Sequence, residues 1–61
     1  MTITKMEKLL KEEANRRGMK LSKTFIHLGG EAILTKKGYS DDKVDYYIDD
    51  FLTFIANEGA R

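Results

Sequence analysis

Asp42, Asp45 and Asp49 stand at i, i+3 and i+7, a spacing that stacks three carboxylates along one edge of a helix. Such a row invites a divalent-cation reading, but side chains on a single helix edge do not wrap an ion as a loop does. No metal is expected there. Like charges at these spacings repel by roughly a few tenths of a kcal/mol per pair, so something should compensate them. Lys8, Lys11 and Asn15 repeat the same spacing earlier in the chain. The first expectation is therefore that the two edges face each other, within the fold or across a dimer. A solvated edge and an edge docked on a basic partner are the alternatives.

His27 is the one histidine, and the chain has no cysteine, so thiol catalysis, disulfides and the usual zinc ligand sets are excluded. His27 is expected to be exposed and solvated, without a catalytic partner, a phosphate or base contact being the alternative. Gly29-Gly30 lacks both the dinucleotide-binding and the P-loop spacing, which leaves close helix packing or a turn. With no nucleophile–base pair, metal cluster or cofactor loop, the expectation is a protein that is not an enzyme and uses no cofactor.

Charge is the next signal. Residues 1–37 hold nine Lys/Arg against four acids, and residues 38–61 hold six acids against Lys43 and Arg61, so a net +1 conceals halves of +5 and −4. Sorting of this kind suggests work by contact with a charged partner. If Lys8 and Lys11 are taken by the acidic edge, the free cations are Arg16, Arg17, Lys20, Lys23, Lys36 and Lys37. These six are the candidate nucleic-acid-binding set.

The elements that must position these groups read as helices. Thr4 with Glu7 three residues on has the capping-box pattern. Ile3, Met6, Leu10 and Ala14 share a face, Arg16 and Arg17 suit a helix C-terminus, and Gly18 suits the left-handed position after it. This predicts a helix over about 5–17. Ser22 is a second N-cap, and Leu21, Phe25, Leu28 and Ala32 share the face expected to be core. Two glycines inside a helix cost about 1 kcal/mol each relative to alanine. Hence residues 22–37 are read either as one helix whose glycines admit a close neighbour, or as helices 22–28 and 31–37 broken at Gly29-Gly30. Ser40 caps a last helix over about 41–57, with Val44, Tyr47, Ile48, Phe51, Leu52 and Ile55 as its wide apolar face and Asn57 and Gly59 as its end. Tyr46 lies nearly opposite that face. Phe54 falls at its rim, with burial in the monomer the first expectation and a partner or dimer contact the second.

Sixty-one residues without proline or cysteine predict a single all-α domain over 1–61, a small bundle of three or four helices near the lower limit for folding alone. Homodimerisation through the last helix is expected, because one such monomer has little core to spare. No apolar run approaches the roughly 20 residues of a membrane span, and the first five residues have no apolar signal core behind them, so the expected location is cytoplasmic. In its broken form the second segment resembles a helix-turn-helix. The placement of Gly18, Leu28 and Gly29 before a short helix loosely resembles small phage-repressor domains, over about residues 5–58. Gly18 to Gly38 also resembles the second half of ribbon-helix-helix proteins. These resemblances imply duplex DNA as partner, with residues 31–37 entering the groove. The leading functional expectation is accordingly a DNA-binding transcriptional regulator gripping phosphates through Arg16, Arg17, Lys20, Lys23, Lys36 and Lys37. The alternative is a protein-binding adapter or inhibitor that docks through the last helix, using Tyr46, Phe54 and the Asp42/Asp45/Asp49 edge, without touching DNA.

Overall fold

The computed structural model describes residues 1–59 and contains three α-helices: α1 (Ile3–Arg16), α2 (Lys23–Leu34) and α3 (Val44–Gly59), the last preceded by a 3-10 turn over Asp41–Lys43. All-α architecture and the three-helix bundle are thus as the sequence predicts. Among the described residues there is no strand, and no helix is long and apolar enough to cross a membrane.

α1 starts two residues earlier than predicted. Thr2, not Thr4, is the N-cap, its hydroxyl accepting from the Lys5 N–H at 3.2 Å. The earlier start makes Ile3 helical, and its side chain lies half-buried against Gly30, while Met6 and Leu10 further along α1 are completely buried. Glu7 is thereby released from capping. At the other end Gly18 takes φ +74°, with the Met19 N–H donating to the Ala14 carbonyl at 2.8 Å and the Gly18 N–H to that of Asn15 at 3.0 Å. This is the Schellman arrangement, and Met19 packs against the core as its apolar companion.

α2 is one continuous helix. Ser22 caps it as predicted, accepting from the Phe25 N–H at 3.1 Å, and it stops at Leu34 rather than 37. Gly29 and Gly30 sit buried in its interior and serve as contact points. A Cβ on Gly29 would lie 2.6 Å from two atoms of the Phe51 ring, and one on Gly30 would lie 3.0 Å from Ile3 Cδ1. The glycines therefore let α3 and α1 approach α2 more closely than any side chain would allow. The two-helix reading of 22–28 and 31–37 is overturned, and with it the separate groove-entering helix, because residues 29 and 30 form no turn. Lys36 and Lys37 belong instead to the turn that Gly38 closes at φ +78°.

The predicted core phase of α2 is also overturned. Its buried positions are Ile26, Gly29, Gly30 and Ile33, whereas Leu28 is 56% exposed, Phe25 39% exposed, and Ala32 exposed. Both faces carry apolar side chains; the one with two glycines wins because the backbone itself can be packed there. Val44, Tyr47, Ile48 and Leu52 of α3 complete the core as expected. Tyr47 also ties down the entry to α3: its hydroxyl accepts from the Ser40 N–H at 3.3 Å, and its ring stacks on Tyr39 with centroids 5.6 Å apart.

Candidate functional site

The six predicted phosphate-binding cations do not gather on one face. Arg17 lies between α1 and α3, its Nε donating to Glu13 at 2.9 Å and its Nη2 to Asp49 at 2.5 Å. Arg16 donates to the same Glu13 at 2.6 Å. The bond Arg17 donates to Asp49, then the one it donates to Glu13, holds the Arg17 pKa above its ordinary value, and the two arginines hold Glu13 below the usual carboxylate range. Lys20 lies exposed in the α1–α2 connection. Lys23, at the start of α2, shares a cleft with Lys8 and Lys11, walled by Leu21 and Ile26. Lys36 and Lys37 follow the end of α2, some 18 Å away along a twelve-residue helix. The Lys36 ammonium lies over the Tyr47 ring, 5.9 Å from its centroid.

The acidic edge is likewise compensated otherwise than predicted. Asp45 and Asp49 line a cleft between α1 and α3 together with Glu12, Glu13, Arg16 and Arg17. Lys8 and Lys11 lie on the other side of α1, toward α2, so they do not answer the aspartates; Arg17 answers Asp49. The reason is rotational. Burying Met6, Leu10 and Ala14 turns the Glu13/Arg17 edge of α1 toward α3 and the Lys8/Lys11 edge away from it. Asp42 sits exposed in the 3-10 turn, its N–H donating to the Ser40 hydroxyl at 3.4 Å. Among the described residues no three His, Asp or Glu side chains converge as a metal would require.

His27 is exposed as expected, yet it has partners that the sequence reading missed. Its Nδ1 lies 2.5 Å from Glu7 Oε2 on α1, and its Nε2 lies 2.5 Å from Glu31 Oε1 one turn along α2. The bond to Glu7 and the charges of both glutamates raise its pKa. Only the imidazolium can donate from both nitrogens at once. The carboxylates flank opposite sides of the ring and do not focus on a common ligand; the bond to Glu7 straps α1 to α2. Glu31, at i+4, was a legible signal; Glu7, twenty residues away, was not.

Among the aromatics, Tyr46 is 67% exposed, and Phe54 is 62% exposed, not buried in the monomer as first expected. The two are eight residues apart, about 12 Å of helical rise and 80° of phase, so they do not form one spot. Phe54 instead joins the side chains that α2 leaves outside. Phe51 reaches up to Gly29, and the Phe25 and Phe51 rings tilt together with centroids 5.9 Å apart. A shallow groove of about 160 Å³ continues this surface, lined by Ala32, Lys36, Tyr47, Asp50, Phe51 and Phe54. The result is one apolar face, running from Phe25, Leu28 and Ala32 on α2 across Phe51 to Phe54 on α3. Exposed apolar surface of this kind marks contact sites in soluble domains, and aromatic side chains dominate contact energetics. No protein-family model, curated protein or solved structure matches the chain.

Proposed function

We propose that this protein is a small non-catalytic binding module that docks on a larger protein through the α2/α3 face. The observation that carries this reading is the exposure of Leu28 and Phe54, 56% and 62%, on a surface continuous with Phe25, Ala32 and Phe51. A chain this short has few large apolar side chains to spend outside its core. The DNA-gripping alternative loses support from the dispersal of its six cations, two of which are already paired with acids on α1 and α3.

Site-specific photo-crosslinking in cells tests the reading. A photoreactive residue at position 28 or 54 is expected to yield adducts with a polypeptide larger than this chain, while the same residue at Lys20 yields none. Equal adducts at Lys20 would contradict it. A duplex-DNA titration at low and moderate salt is expected to show no steep salt dependence; a log–log slope of several units would restore the regulator instead.

A further inference from the structure

We infer that a second copy of this chain occupies the α2/α3 face, related by a two-fold axis that passes between Phe51 and Phe54. This rests on the reading of that face as a protein-docking surface and adds its occupant. The argument is the layout of charge around the apolar centre. α2 and α3 run antiparallel: Gly29 packs on Phe51, and farther along α2 Lys36 stands over Tyr47, earlier in α3. Lys36 lies seven residues beyond Gly29, and Glu58 lies seven residues beyond Phe51. Lys36, in the turn after α2, reaches the level of Tyr47, one helical turn before Phe51, and Glu58 lies two turns after Phe51, so the face carries a cation at one end and a carboxylate at the other, about 16 Å apart along α3, with Asp50 beside the groove between them. Both residues are exposed, and Glu58 shares the helix edge of Phe51 and Phe54 at i+7 and i+4.

A two-fold axis through the middle reverses the ends. Lys36 of each copy then meets Glu58 of the other, while Leu28, Phe51 and Phe54 of both copies close over one another. An isologous contact needs a patch complementary to itself, and opposite charges on either side of an apolar centre meet that requirement. A target protein and the second copy then compete for one surface, so self-association sets how much free face is on offer.

Sedimentation velocity from about 10 μM to about 1 mM at low salt tests the inference. The wild-type chain is expected to dimerise across that range, and F54E to stay monomeric. K36E and E58K are each expected to weaken the homodimer about tenfold or more, since either change sets like charges together twice per dimer. Mixing the two is the decisive arm. The K36E chain is acidic at both ends of the face and the E58K chain basic at both, so the mixture should form a one-to-one heterodimer at concentrations where each alone is monomeric. A wild-type chain that stays monomeric throughout would overturn the second copy as occupant, and so would a mixture no more associated than its components. Neither result touches the crosslinks to a larger protein, by which the docking reading stands or falls separately.

Discussion

On one side of α2, Gly30 lets Ile3 and Met6 of α1 come close, and His27 clamps Glu7 across the same seam. On the side turned away from α1, Leu28 is 56% exposed and Ala32 is exposed beside the groove it shares with Phe51 and Phe54, although Leu28 is as apolar as Ile33 one turn and a half away. The difference lies in the backbone more than in the side chains. Where glycines open the way, neighbouring helices close in and the core forms. Where full side chains stand, they remain outside as a surface ready for another molecule.

The comparison is broken most forcefully by truncating each side in turn. Ile33→Ala, on the closed side, should cost about 2–5 kcal/mol by urea denaturation, from lost burial plus the cavity left behind. Leu28→Ala, measured in dilute solution, should stay within about 0.5 kcal/mol of wild type. Equal losses at the two positions would mean that both faces of α2 are core. Next in size is the glycine pair. Gly29→Ala drives a methyl group into the partly buried Phe51 ring, an overpacking of about 1–3 kcal/mol that helix propensity offsets by only about 1. Gly30→Ala meets the movable end of Ile3, so its clash and its propensity gain should nearly cancel. Combining Gly29→Ala with Phe51→Leu should recover part of the loss if ring contact is its cause.

The smallest effect is the histidine strap. His27 has a folded-state pKa raised above its ordinary 6.5 or so. Its contribution to stability is therefore fully present below about pH 6.5 and is lost as pH rises through the higher folded-state value. Unfolding midpoints should fall from pH 6 to pH 8 for the wild-type chain and change less for His27→Gln. NMR titration of the imidazole should give a midpoint above that of an unstructured histidine; a midpoint at or below it would remove the strap.

Much of the scaffold was legible in the residues. Gly18 and Gly38 mark their turns because a positive φ favours glycine. Ser22 and Ser40 mark helix starts because a short hydroxyl side chain satisfies an open N–H. The face of α1 was readable because its apolar residues fall on a single stripe. α2 was misread for the opposite reason. Its sequence carries two apolar stripes, and the buried one contains two residues that have no side chain to count. Phe54 was misplaced along with it, since its exposure follows from where α2 packs. The pairings Arg17–Asp49 and Glu7–His27 span 32 and 20 residues, and they depend on helix rotations that only the packed core sets. The exposed face was thus present in the sequence as a list of residues, but it was assigned to the core.

The central claim is that Phe54 belongs to a contact surface and not to the interior. Its most direct test is a urea denaturation of Phe54→Glu in dilute solution, with photo-crosslinking from position 28 in the same variant. An unfolding midpoint close to wild type together with loss of the crosslinks is the predicted result. A fall in stability of about 3–5 kcal/mol, the usual cost of removing a buried aromatic side chain, would contradict it.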